Sequence, residues 1–297
     1  MIALLSWFGH VIEIAAILLF GWTWLQMRRE GHGSHVDLVL AAGYGWMLEV
    51  LDLWLFGSYH YAKSWWPLGP VPLYIPLLWA IILHSSMALS DRTGLPVWAQ
   101  PFLDGLLAVL IDLGVDAIAI RVGLWHWGIG LSEGWFGVPA GNLCAWMWVA
   151  AWYGAATRLV RDRISRRGEP RWHRLLIPLV AYAGLLACLL GIGASGQWLG
   201  LRSQEQRLWL FAIQAAGFAG LVGFGARYAE RRSLHRCSQL LSSLRWNRWL
   251  IHLSFFSILW LSGLWREIPA LLIVSGACML LEWAIQQVVS SGRSRAA

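Results

Sequence analysis

The chain has 297 residues, of which 58% are hydrophobic and 13% are charged. A soluble domain carries about 25% charged residues, so this composition excludes an ordinary soluble protein and predicts a polytopic membrane protein. The formal net charge of +7 comes almost wholly from arginine, and these arginines cluster in short connections, which does not indicate nucleic-acid binding. The four cysteines form no CxxC pair, so neither a disulfide framework nor a zinc site is predicted.

Nine apolar stretches have close to the roughly 20 residues that a helix needs to cross a bilayer. The turn between the last two is very short, so eight spans remain an alternative. The pattern predicts an all-α transmembrane bundle that forms one integral membrane domain over residues 1–297, with the first stretch kept as a span rather than removed as a signal peptide. The expected spans are about residues 2–26, 36–57, 71–90, 101–121, 139–158, 174–194, 207–227, 247–265 and 267–289.

The arginines favour one orientation of these spans, because basic residues that flank spans stay on the cytoplasmic side. With the N-terminus outside, 18 lysines and arginines fall in inside segments and 5 fall outside. The largest inside groups are the seven arginines from Arg158 to Arg174 and the six from Arg227 to Arg248. We therefore expect the C-terminus in the cytoplasm, a bacterial cytoplasmic (inner) membrane as the location, and contact between the arginines and anionic lipid.

Four carboxylates of two predicted spans share one depth: Glu49 and Asp52 in span two, and Asp112 and Asp116 in span four. A rise of about 1.5 Å per residue puts all four about 8 to 14 Å below the outer ends of their helices. Each pair shares a helix face. Acids within a span are expected to be functional, although they can also join helices. Because crowded buried carboxylates cannot all ionise, we expect at least one to be protonated and suited to general-acid catalysis.

Tryptophan is unusually abundant, with 23 residues. Trp125 and Trp127 lie near span ends, where an interfacial belt explains them, whereas Trp79 lies within a span. Aromatic faces can also line a pocket for a long polyene and stabilise a cation. Asn142 falls in the first turn of span five, on the side of the acids. The HxxH pair at His32 and His35 lacks the further histidines of a di-iron enzyme, and no nucleotide-binding or hydrolase motif is present.

Four segments carry a resemblance to a known family. They are EVLDLWLFGSYHY (49–61), LGPVPLYIPLLWA (68–80), IDLGVDAIAIRVGLWHW (111–127) and GWFGVPAGNLCAW (134–146). In content and order they resemble the integral-membrane carotenoid biosynthesis family, which contains the carotenoid 1,2-hydratases of the gamma-carotene and bisanhydrobacterioruberin type. The resemblance covers a core of about residues 45–155, with additional spans over about 174–289.

The resemblance marks site residues by position. These are Glu49, Gly57, Tyr59, Tyr61, Asp112, Asp116, Trp125, Trp127, Pro139 and Asn142. Asp52 is added to the acids by its depth, and Trp79 to the substrate-binding residues by its place within a span. Two positions depart from the family pattern, since Ala117 stands where Pro is common and Ala145 where Gly is common.

The resemblance implies an enzyme that hydrates a terminal carbon-carbon double bond of a carotenoid. Asp112 or Asp116, and Glu49 after them, would protonate the alkene, and a second carboxylate would orient or deprotonate water. Tyr59, Tyr61 and Asn142 would hold that water while Trp125 and Trp127 flank the cation. This chemistry uses no metal, nucleotide or flavin cofactor.

An alternative is a non-catalytic pigment-binding or structural subunit with the same fold, suggested by Ala117, Ala145 and the surplus tryptophans. Such a subunit would have partner membrane subunits or form a homo-oligomer. A proton-coupled transporter is a third class, but no pair of broken, inverted-repeat spans supports it.

Overall fold

The computed structural model describes residues 2–30, 34–229 and 239–291. Within these ranges, nine long helices coincide in order with the nine predicted apolar stretches, which confirms an all-α bundle. His32, Arg231, Arg232, Arg236, Arg293 and Arg295 lie outside the described residues. The long helices are α1 (Ile2–Glu30), α2 (Ser34–Leu55), α3 (Tyr74–Ser90), α4 (Gln100–Ala119), α5 (Ala140–Arg167), α6 (Ile177–Trp198), α7 (Gln204–Ala226), α8 (Gln239–Leu261) and α10 (Pro269–Ser291), and the short α9 (Leu264–Glu267) precedes α10.

Five of the described helical segments are long and apolar enough to cross a membrane. They belong to α1, α2, α6 with the 3₁₀ turn Arg171–Leu176 before it, α7 and α10. The chain is therefore an integral membrane protein. Helix α3 is apolar but shorter, so the count of nine spans and their orientation stay predictions.

Helices α3 and α4 form the centre of the bundle. Nearly all their residues are buried, whereas α7 buries only Phe218 and Gly225 among its described side chains. Helix α3 packs against α1, α2 and α8, and α4 packs against α5, α7, α8 and α10. Since a helix buried on all sides faces protein rather than lipid, acids on α4 are directed at other helices.

Two short strands cover one end of the bundle. Strand β1 (Tyr59–Tyr61) follows α2 and pairs antiparallel with β4 (Trp125–Trp127), which follows α4. Between them in the chain, β2 (Pro67–Leu68) pairs with β3 (Val71–Pro72). We call the β1 and β4 pair the lid; it joins two of the four sequence segments, 49–61 and 111–127, directly.

Arg121 fastens the loop between the lid and α5. Its guanidinium donates to the carbonyl oxygens of Leu131 at 2.9 Å and Phe136 at 2.5 Å, and to that of Ala117 at 2.8 Å. Gly137 lies in the left-handed region at φ 85°, and a side chain there would meet Ile120 at 2.9 Å. The loop therefore lies close against the end of α4, and α5 starts beside the acids.

The position of Arg248 differs from the one expected from the distribution of charge. The sequence predicts it among the cytoplasmic arginines, but α8 begins at Gln239 and Arg248 lies well inside this helix with no exposed surface. Its guanidinium donates to both carboxylate oxygens of Glu282 on α10, each at 2.7 Å. It also donates to Ser86 on α3 and to the Leu107 carbonyl on α4. This ion pair attaches α8 and α10 to the central helices.

The other end of the bundle carries the arginine-rich connection and a second buried ion pair. Arg158 of α5 donates to Asp104 of α4 at 2.5 Å and to Asp91, just after α3, at 2.8 Å. Asp104 also accepts from Ser90 and is fully buried. Arg158 of α5 thus joins its own helix to the end of α3 and to the first turns of α4, in addition to its predicted part in orientation.

Candidate functional site

Glu49 on α2 accepts hydrogen bonds from three side chains. Trp79 Nε1 on α3 donates to Oε1 at 2.7 Å, and Tyr61 of the lid donates to Oε2 at 2.6 Å. Tyr59 donates to the same Oε2. Trp79 can reach Glu49 because Gly45, one turn earlier on α2, leaves room: a Cβ there would lie 2.5 Å from Cβ of Trp79.

The lid phenols act as donors to this carboxylate. Burial and the neighbouring Glu49 carboxylate raise the pKa of both Tyr59 and Tyr61 above the usual value, so both hydroxyls keep their protons. An ionised carboxylate only accepts hydrogen bonds, and charge-assisted bonds of this kind are the stronger ones. The three donors therefore satisfy both oxygens of the Glu49 carboxyl group and hold it in place beneath the lid.

Asp112 and Asp116 form a second, different acid site on α4. Their exposed fractions are 0% and 4%. Asn142 Nδ2 donates to Asp116 Oδ2 at 2.7 Å and to Asp112 Oδ2 at 3.2 Å. The two carboxyl groups lie one turn apart on the same face of α4, and the Asn142 amide joins them. Oδ1 of Asp112 is buried and has no hydrogen-bond partner within the part of the chain that the structure describes.

The structure brings these two acid sites together and leaves one predicted acid at their edge. The carboxylates of Glu49 and Asp116 are close enough to interact electrostatically. Asp52, by contrast, is half-buried and accepts a hydrogen bond from Ser58 at 2.5 Å, in the turn that leads from α2 into the lid. Among the other three acids, Glu49 is the one with which Asp52 interacts electrostatically.

Aromatic rings cover the acids. In the lid, Tyr59 lies opposite Trp127 with ring centres 4.7 Å apart, and Tyr61 lies opposite Trp125 with ring centres 6.1 Å apart. Trp125 is buried, and Nε1 of Trp127 is buried and finds no hydrogen-bond partner among the described residues. The predicted aromatic residues are thus gathered at this end of the bundle, with one unused donor among them.

Trp146 of α5 continues this aromatic cover. Its ring centre lies 4.2 Å from that of Trp79, so it packs beside the indole that donates to Glu49. Trp146 falls within the predicted span 139–158, but it is not among the predicted site residues. The spacing of four residues is a signal that Trp146 belongs to the site, because it places Trp146 one turn after Asn142 on the same helix face.

Glu13, an acid within the first helix, connects α1 to the segment that follows β1. It accepts hydrogen bonds from the Ser64 hydroxyl and from the backbone N–H of Trp65 at 3.1 Å. His10, one turn earlier, stacks on Trp65 with ring centres 3.6 Å apart. Glu13 therefore fixes the segment after β1 to α1, a pairing across 51 residues that has no signal in the sequence.

A large cavity lies at the opposite end of the bundle. Its volume is 1110 Å³, and its walls include Phe102, Trp152, Arg158 and Arg161. Phe102 and Asp112 are ten residues apart on α4, about 15 Å along the helix axis. The acid site is thus separate from this cavity and lies beneath the lid.

The family comparison covers every residue of this site. Residues 6–201 match the family described as carotenoid biosynthesis protein, a range that includes most of α1 and all of α2 to α6 and reaches beyond residues 45–155. No curated protein and no solved structure matches the chain. Because the family match spans well over half of the sequence, this chain belongs to the carotenoid biosynthesis protein family.

Proposed function

We propose that the protein is a carotenoid hydratase, which adds water across a terminal carbon-carbon double bond of a carotenoid. The observation that carries this proposal is the buried pair of Asp112 and Asp116, which the Asn142 amide joins and in which Asp112 Oδ1 has no hydrogen-bond partner among the described residues. A carboxylic acid that keeps its proton in a water-poor site is the group that alkene protonation needs.

The first step transfers a proton from the aspartate pair to the CH carbon of the terminal double bond. The π electrons form the new C–H bond, which leaves a tertiary carbocation at the neighbouring dimethyl carbon and a carboxylate on the pair. The ring faces of Trp125 and Trp127 stabilise the cation through their quadrupoles. The carboxylate of Glu49 adds electrostatic stabilisation in the same low-dielectric site.

In the second step the oxygen of a water molecule attacks the cation, and the water gives up one proton. Glu49, with Tyr59 and Tyr61, orients or deprotonates that water. A proton then returns to the aspartate pair before the next turnover. The net reaction is alkene plus water to a tertiary alcohol, so no oxidant or reductant takes part.

The substrate approaches this site from the lipid. The long polyene stays among the lipid tails while its end enters between the lid and α4. Since the acids are buried beneath the lid, the lid must move to admit it, as loops over many enzyme sites do. In a bacterial inner membrane with the N-terminus outside, the site lies near the outer leaflet.

The direct test compares single aspartate variants in a host that makes a carotenoid with an open end. Asp112→Asn and Asp116→Asn keep the side-chain shape but cannot supply the proton, and each is expected to lower the hydrated product at least about 100-fold. The matched control is Asp162→Asn, an exposed aspartate at the arginine-rich end, which keeps full activity. Product is measured by liquid chromatography and mass spectrometry as the gain of one water.

Unchanged turnover in both aspartate variants would contradict the assignment. Wild-type protein that purifies with unaltered carotenoid and yields no alcohol would indicate a pigment-binding subunit instead.

A further inference from the structure

The outer face of the lid carries a pair of histidines that the proposed reaction does not use. His60 is the middle residue of β1, His126 is the middle residue of β4, and the two are direct partners in the register. Since successive side chains of a strand point to opposite faces, both histidines lie on the face opposite the four lid aromatics. Both are exposed, and their ring centres are 5.3 Å apart.

The backbone holds this pair in place from both sides. The N–H of Ala62 donates to the carbonyl of Leu124 at 2.9 Å, and the N–H of Gly128 donates to the carbonyl of Ser58 at 3.2 Å. These bonds lie two residues before and two residues after the histidine pair along the ladder. The spacing of the two imidazoles is therefore fixed by the strands and not only by their rotamers.

The spacing matches that of two imidazoles on one metal ion. With metal-nitrogen bonds of about 2.0–2.1 Å and a tetrahedral angle, the two ring centres lie about 5 Å apart. Imidazole is a preferred ligand of Zn²⁺, Cu²⁺ and Ni²⁺. Within the described ranges no three His, Cys, Asp or Glu side chains gather as a metal site, so two protein ligands leave the remaining positions to water.

We propose that His60 and His126 form a two-histidine site for a divalent transition metal, and that the metal fastens the lid. A bound ion joins β1 to β4 on the outer face while Tyr59, Tyr61, Trp125 and Trp127 cover the acids on the inner face. Because the ion binds only where both histidines are in register, it stabilises the closed lid by mass action. This inference rests on the geometry of the lid and does not depend on the proposed reaction.

The test is calorimetric titration of the purified full chain, without a polyhistidine tag, with ZnCl₂ at neutral pH. The wild type is expected to bind one ion at this site, and His60→Ala and His126→Ala are each expected to weaken that affinity by at least about tenfold, since binding through the second ligand is intramolecular. The control is His173→Ala in the arginine-rich connection, where the histidine contacts Glu169. Equal affinity in either lid variant, or an effect of only one of them, overturns the site.

A second measurement tests whether the ion fastens the lid. Hydrogen exchange of the amides in residues 58–62 and 124–128 is expected to slow on adding ZnCl₂ to the wild type and not to His126→Gln. Matching thermal unfolding of the two proteins without metal shows that the variant is folded. Exchange that is unchanged in zinc-loaded wild type overturns the fastening.

Discussion

The side-chain amide of Asn142 lies 2.7 Å from Asp116 and 3.2 Å from Asp112, so one nitrogen bridges both acids of α4. The bridge runs from the first turn of α5 to the buried face of the central helix. It holds the two carboxyl groups in one orientation and leaves Oδ1 of Asp112 without a hydrogen-bond partner among the described residues.

Asn142→Ala is therefore expected to lower hydrated product by about 10-fold to 100-fold, the usual effect of removing a group that orients a reacting one. Product formed per mass of purified protein is the measurement. Gln214→Ala is the control, because Gln214 also bonds between helices, accepting from Trp148 Nε1 at 2.7 Å, yet lies outside the acid site. Equal losses in both variants would point to a packing effect.

Gly45 determines how closely α2 and α3 approach each other beside Glu49. Gly45→Ala forces a Cβ into Trp79, and overpacking of this kind costs about 1–3 kcal/mol of unfolding free energy. Gly43→Ala is the matched control on the same helix, since a Cβ there meets nothing within 4 Å. Denaturant unfolding in detergent measures both, and a Gly45→Ala protein as stable as the control would contradict the close approach.

Helix geometry explains how much of the site was predictable. The rise and repeat of a helix are local, so the sequence sufficed to place Asp112 and Asp116 on one buried face of α4 and Asn142 at the start of α5. Lid pairing is not local: residues 59–61 and 125–127 are joined by a register that no spacing in the chain encodes. The sequence therefore could not predict the bonds that Tyr59 and Tyr61 donate to Glu49. It also could not predict the separate contact of Asp52 with Ser58.

The burial of Arg248 was unpredictable for a related reason. The rule that arginines flank membrane spans does not apply to an arginine whose charge is neutralised by an ion pair within the bundle. Glu282, 34 residues later in the last apolar stretch, was the one sequence signal of a buried partner. Pairing the two required knowing that α8 and α10 pack side by side.

Arg248 and Glu282 provide a test of that packing. Removing one member leaves an uncompensated buried charge, so Arg248→Met is expected to cost about 3–5 kcal/mol of unfolding free energy. The double variant Arg248→Met with Glu282→Leu is expected to recover most of that loss, because no lone charge remains. Arg166→Ala, which breaks an exposed pair with Asp162, should cost no more than about 1 kcal/mol. A double variant as unstable as the single one would contradict the pairing.

Arg121 is expected to influence the reaction without touching the substrate. Its two hydrogen bonds to the Leu131 and Phe136 carbonyls tie the 131–136 loop to the end of α4, and α5, which carries Asn142, begins four residues after that loop. In Arg121→Gln the loop loses these bonds, so the amides of residues 131–138 should exchange faster and hydrated product should fall. Arg207→Gln is the control, because Arg207 makes an exposed bond to the Leu201 carbonyl. Faster exchange with full product would show that the loop can move without displacing Asn142, and would remove Arg121 from the positioning residues.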